Sequence, residues 1–392
     1  MRPASIAWER SAEVRVAAEG WRRSGAITEA THRAIIQAYP DPCVTPSVVW
    51  RVLTAVMVSA IAVCTFGAFW IAIRPDATGS SVLLWLCAAG CFLVTEALEA
   101  SSRHARRGAA GTASFWGSLF ALVGLAVICA DSYLGVDRAI HAVLLASIVI
   151  WGVGAWRWGN PLFAGISASS VFLLLGRAPL GRLWWIVAGV AVTALAARAP
   201  DDGTLPPSHR RSAMVLTAIG IAATYVAVNV YSLEERVLES LRGFGPAQTE
   251  VPAVFLGLGV LGTALLPLAV LAWAIRSRRT YLLDLGVVLL ALSLVTLRHY
   301  VHVAPLWVVL IAAGALLIGV ALAVERALRA RPGGELAGFT ADALFSDERR
   351  QRLLQAVPIV ATFTPASAPP VTPEGFAGQG GRFGGGGASD RF

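Results

Sequence analysis

The sequence predicts an all-α protein, a polytopic transmembrane helix bundle of about ten spans. Three observations predict it. Of the 392 residues, 56% are hydrophobic and only 14% are charged, whereas a soluble domain carries about 25% charged residues. Apolar runs recur along most of the chain, each near the roughly 20 residues that a helix needs to cross a bilayer core. All 32 basic residues are arginines, and most sit in short segments between those runs, as membrane topology requires. The same placement explains the net charge of +8 without nucleic acid as a partner. The lack of lysine excludes Schiff-base and P-loop chemistry.

Residues 1–47 read as a small helical hairpin. Ile6, Val14, Ala17 and Trp21 put one apolar stripe on a first helix. Gly25 is positioned to end that helix and Thr28 to cap a second. Ile35, Ala38 and Tyr39 give the second helix its stripe, and Pro40 stops it. So small a hairpin holds little core of its own, so it is expected to dock on the membrane face or on a protein partner. A DNA-binding helix-turn-helix would need a third helix and a base-reading surface, and neither accompanies it. No signal peptide is expected, because the first apolar run begins only at Val48.

The string EGWRRSGAITEATHRAIIQAY, residues 19–39, followed by many spans, resembles the DUF2157 family of predicted bacterial membrane proteins. Trp21, Gly25, Ile27 and Tyr39 carry the resemblance. Ala26 separates the glycine from the isoleucine, a departure from the family's pattern. The resemblance implies a multi-span body and no particular activity.

The bundle itself is expected over residues 48–326. Its ten candidate spans are 48–73, 81–98, 113–130, 139–156, 161–176, 183–197, 212–233, 252–275, 281–297 and 306–324. The fifth and sixth are short enough to be tilted, re-entrant or shielded by neighbours. With the N-terminus inside, the inner segments before the tail hold 16 arginines and the outer loops 7. That bias puts both termini on the cytoplasmic side of a bacterial inner membrane. The longest outer loop follows the seventh span. Ser232 and Glu235 form a capping box there, and Leu233, Val237, Leu238 and Leu241 recur at helical spacing. Residues 327–357 hold a short cytoplasmic helix capped by Ser346. Residues 358–392, rich in Pro and Gly, are expected to be disordered. The closing RFGGGGASDRF resembles the glycine-rich tails of TPM-domain and related membrane proteins, and the tail is a candidate contact for a protein partner.

Few motifs carry chemistry. GLGVLG, residues 257–262, matches the dinucleotide-binding string, but that fingerprint needs a strand before it. Inside an apolar span its glycines serve close helix approach. Cys64, Cys87, Cys91 and Cys129 lie in apolar runs with no ligand spacing for zinc, so no metal and no cofactor are expected. Ionisable and polar residues inside a membrane are the better signal. Glu96, Asn229 and Asp284 are the candidates, and each lies near the end of a span. Arg298, His299, Tyr300 and His302 crowd the outer end of the ninth span. His299 and His302 share a helical face and could hold two metal ligands, with His141, Asp131 or Asp137 completing a set. Tyrosine and charged residues are also what helix ends carry at the headgroups. A non-enzymatic scaffold, sensor or accessory component is therefore expected. The rivals are a small-solute or ion-coupled transporter using Glu96, Asn229 and Asp284, and an outer-face enzyme acting on a lipid-linked substrate through Arg298, His299 and His302.

Overall fold

The computed structural model describes residues 3–23, 27–40, 48–100, 107–132, 135–178, 180–202, 204–229, 253–277 and 279–300, with scattered positions from 311 to 340. It divides into two compact units, Met1–Ala17 with Ile35–Tyr300 and Ala18–Ala34 with Val301–Phe392. The tenth expected span, the outer-loop helix and the C-terminal helix and tail lie outside the described residues, apart from isolated positions.

The described residues form eleven α-helices: α1 (Pro3–Arg23), α2 (Glu29–Ala38), α3 (Val48–Ile73), α4 (Ala77–Ala100), α5 (Arg107–Asp131), α6 (Val136–Trp158), α7 (Pro161–Gly176), α8 (Gly181–Ala196), α9 (Pro207–Val228), α10 (Ala253–Ser277) and α11 (Thr280–Tyr300). Six of them, α3 to α6, α9 and α10, are long and apolar enough to cross a membrane. Three shorter apolar helices, α7, α8 and α11, coincide with the fifth, sixth and ninth expected spans. At 16 residues each, α7 and α8 are about 24 Å long, below the roughly 30 Å hydrocarbon thickness.

In the first unit, helices adjacent in sequence pair as hairpins: α4 with α5, α6 with α7, α8 with α9, and α10 with α11. A short turn, residues 159–160, favours the α6–α7 pairing. Asn160 caps α7 by accepting from the Leu162 N–H at 3.0 Å, with Pro161 at the first helical position. Between α7 and α8, Leu180 adopts φ 58°. A Cβ on Gly181 would lie 2.5 Å from the Gly176 carbonyl oxygen, so only glycine fits that turn.

Hydrocarbon gives helices no hydrophobic drive to associate, so packing depends on small residues and specific contacts. The α8–α9 crossing is the clearest case. A Cβ on Gly189 would sit 2.7 Å from the Gly220 carbonyl oxygen, and a Cβ on Gly220 2.7 Å from the Gly189 carbonyl oxygen. Each glycine lies four residues before a threonine, Thr193 and Thr224, that touches the opposite glycine. In α10, Gly262 meets Val228 in the same way, so this glycine of GLGVLG does serve helix approach. Elsewhere bulk fills the interface. Trp151 stacks edge-on against Phe163 at 4.8 Å, joining α6 to α7. Phe66 of α3 lies 5.6 Å from Phe120 of α5, and the Trp116 indole donates to the Ser59 hydroxyl at 2.9 Å. Outside that seam α3 exposes Trp50, Val56, Ile61 and Ile71.

In the second unit, Glu19 pairs with Arg22 at 2.7 Å and with His32 at 3.2 Å. The Thr31 N–H donates to the Thr28 hydroxyl at 3.2 Å, the cap the sequence suggested. Farther on, Glu335–Leu336 pairs antiparallel with Phe339–Thr340.

The glycine crossing yields a first prediction. Gly189→Leu or Gly220→Leu must push α8 and α9 apart, at a cost of about 1–3 kcal/mol or more. The thermal midpoint in detergent should fall for either variant. Gly90→Ala, where nothing lies within 4 Å, should leave it in place.

Candidate functional site

The strongest polar site in the bundle forms where α9, α10 and α11 meet. Helix α9 ends at Val228, and Asn229 turns extended at ψ 128° while its N–H still bonds to the Tyr225 carbonyl at 2.8 Å. Four residues apart, Tyr225 and Asn229 share one face. Ser293 and Thr296, three apart on α11, share another. The Asn229 amide donates to the Thr296 hydroxyl at 3.2 Å, and the Ser293 hydroxyl donates to the Thr263 carbonyl on α10 at 2.6 Å. All five residues are buried. The Tyr225 hydroxyl faces the side chains of Asn229, Thr296 and Ser293, yet reaches hydrogen-bonding geometry with none of them among the described residues. Below this junction lies an apolar core of Ile221, Val270, Ala274, Leu282 and Leu289.

Charged side chains gather at the helix ends. At one end, Arg157 pairs with Glu96 at 2.8 Å, and the Trp158 indole donates to the other Glu96 oxygen at 3.2 Å while its ring stacks on Phe92. Arg279 donates to the carbonyl of Ala197, which caps the C-terminus of α8, at 2.8 Å. At the other end, the buried Arg177 side chain pairs with Asp137 at 2.6 Å, and Arg182 reaches the Ala227 carbonyl at 3.5 Å. Each contact joins segments that strict alternation of the spans assigns to the same end.

Helix α1 docks at the first of these ends. The buried Glu9 carboxylate accepts from the Ser208 N–H at 3.1 Å, in the first turn of α9. Arg10 donates to the Thr204 carbonyl at 3.0 Å, and Glu13 pairs with Arg210 at 2.5 Å. Asp202 holds the receiving turn by accepting from both the Thr204 N–H and hydroxyl, which keeps its carboxyl below the usual carboxylate range.

The intramembrane candidates therefore part company. Asn229 joins the buried polar junction, Glu96 of α4 is held by Arg157 and Trp158 of α6, and Asp284 lies exposed on α11; these are separate surroundings among the described residues. The backbone of Arg298, His299 and Tyr300 closes α11, but their side chains, and all of His302, lie outside the described residues. Of the proposed companions, Asp137 holds Arg177, and the His141 ring contacts the Asp137 carbonyl in its own helix at 2.7 Å. Among the described residues no three His, Cys, Asp or Glu side chains are grouped to hold a metal. An open groove at the α3–α4 turn, lined by Ile73, Pro75, Asp76, Val82 and Leu86, contains none of the candidates. Sequence reasoning missed Tyr225, Thr263, Ser293 and Thr296, and also Glu9 and Glu13. The available signal was spacing: 225 with 229, 293 with 296, and 9 with 13 each share a helical face.

Comparison with known proteins gives no match, whether to a family model, a curated protein or a solved structure.

The junction separates two substitutions. Asn229→Ala leaves the Thr296 hydroxyl without its partner and should cost about 1–3 kcal/mol. Tyr225→Phe removes a hydroxyl that has no hydrogen bond among the described residues, so it should be neutral or raise the thermal midpoint. A large loss of stability in Tyr225→Phe would show that its hydroxyl is engaged in the native protein.

Proposed function

We propose that this chain is a ten-span protein of a bacterial inner membrane, with both termini cytoplasmic. In this reading it works without chemistry of its own, as a scaffold, sensor or accessory component acting through its N-terminal hairpin and, as a second contact, its tail. One observation carries the proposal: α1 engages the turn before α9 through Glu9, Arg10 and Glu13. A hairpin wired to the central helix of a bundle is suited to passing a partner's binding inward. The segment it grips, residues 198–211, is one of the arginine-bearing segments that charge bias assigns to the cytoplasm. The transporter alternative draws little support from Glu96, Asn229 and Asp284, because they occupy three separate surroundings.

Two experiments test this reading. Ten spans require that alkaline phosphatase fused at residue 240 be active and that a fluorescent protein fused after residue 392 fold inside the cell. An external residue 392 would mean an odd number of spans. In cells deleted for the gene, a chain lacking residues 3–40 should reach wild-type abundance in the membrane and fail to complement. Glu96→Gln and Asn229→Ala, compared at equal abundance, should complement. The reverse pattern would favour transport.

A further inference from the structure

The first turn of α9 and Arg210 form an anion seat that the chain fills with its own carboxylates. Helix N-termini attract anions because their first N–H groups lack partners and the helix dipole is positive there. Here the seat has an occupant from nearly two hundred residues away: Glu9 is buried against the Ser208 N–H, and Glu13 lies on Arg210. The occupant does not use all the seat provides. Arg210 spends one terminal nitrogen on Glu13, and its Nε is buried without a hydrogen-bond partner among the described residues. A guanidinium fork is satisfied by two oxygens of one planar or tetrahedral anion. The exposed Arg211 follows directly.

We propose that this seat binds the phosphate of an anionic lipid headgroup, in competition with Glu9 and Glu13. The phosphate takes the Ser208 N–H and both the Nε and terminal nitrogen of Arg210, and α1 lifts away. Lipid chemistry, rather than free phosphate, follows from position. The seat opens the first turn of a spanning helix, where headgroups lie, and anionic leaflets concentrate phosphate around such arginines. In the proposed function the hairpin is the signalling element, and this competition makes its docking responsive to lipid composition. The inference rests on that reading only for its use, since binding itself does not depend on which side of the membrane the seat faces.

The test uses the full-length chain, delipidated in detergent and titrated with phosphatidylglycerol or phosphatidylcholine, with bound lipids counted by native mass spectrometry. Glu9→Gln/Glu13→Gln should bind one phosphatidylglycerol more tightly than the wild type, by about tenfold if two carboxylate contacts no longer compete. Phosphatidylcholine binding should not change. Adding Arg210→Gln should abolish the gain. In the wild type, phosphatidylglycerol should speed tryptic cleavage after Arg10 and Arg15 as α1 is displaced. Equal phosphatidylglycerol binding by wild type and double variant, or a gain that survives Arg210→Gln, overturns the proposal. Displacement of α1 by millimolar inorganic phosphate as readily as by lipid overturns the assignment to a headgroup. Sidedness plays no part in micelles, so failure here and failure of the fusion experiment are separate results.

Discussion

The constraint on which everything else depends is that hydrocarbon offers no hydrogen bonds. Backbone N–H and C=O groups within a bilayer must be satisfied inside their own segment, which leaves the helix as the form available to a single apolar run. Once helices have formed, hydrocarbon no longer drives them together, so their association rests on close fit and a few polar contacts. The bundle follows this logic. Where backbones cross most closely, at Gly189 and Gly220, side chains are absent. Where they stand farther apart, Trp151, Phe163, Phe66 and Phe120 fill the gap. Polar links such as Trp116 to Ser59 fix the register of α3, which is otherwise exposed over most of its length.

The element order was legible in the sequence because it depends on run length alone. Nine of the ten expected spans coincide with helices, and the first and fifth have the same bounds as α3 and α7. The two N-terminal helices, with Thr28 capping the second, were equally plain. Pairing was not legible. Glycine and threonine recur in many spans, and nothing local says that Gly189 meets Gly220 rather than another glycine. The shortness of the fifth and sixth runs was legible too, since α7 and α8 have 16 residues each.

The polar junction was half legible for a specific chemical reason. Asn229 stands out in an apolar run because an amide cannot satisfy itself within a helix. Serine and threonine can, by donating to the carbonyl four residues back, as Thr217 does to Ala213 and Thr224 to Gly220. A hydroxyl residue in a span is therefore uninformative from sequence. Ser293 becomes informative only when its hydroxyl is found 2.6 Å from the Thr263 carbonyl of another helix. Glu9 and Glu13 were hidden for a different reason: on an amphipathic surface helix, carboxylates read as solvated until their partners, 199 and 197 residues away, are placed beside them.

Helix α9 shows how the ends are made compatible with the middle. It packs against α7, α8, α10 and α11, so its termini must be satisfied without disturbing any of them. Pro206 and Pro207 open it and no side chain of its own caps it; Glu9 supplies the anion from α1. At its other end Arg182 reaches the Ala227 carbonyl. Arginine so near the start of its own helix, α8, is unfavourably placed against that helix's dipole. Lying across the negative end of the antiparallel α9 offsets this. An acid at the positive end and an arginine at the negative end thus complement α9 along its whole length, both supplied by other helices. The charges that complete α9 thus come from elsewhere in the sequence, Glu9 from α1 and Arg182 from α8, so its two ends are matched by tertiary contacts rather than by caps of its own.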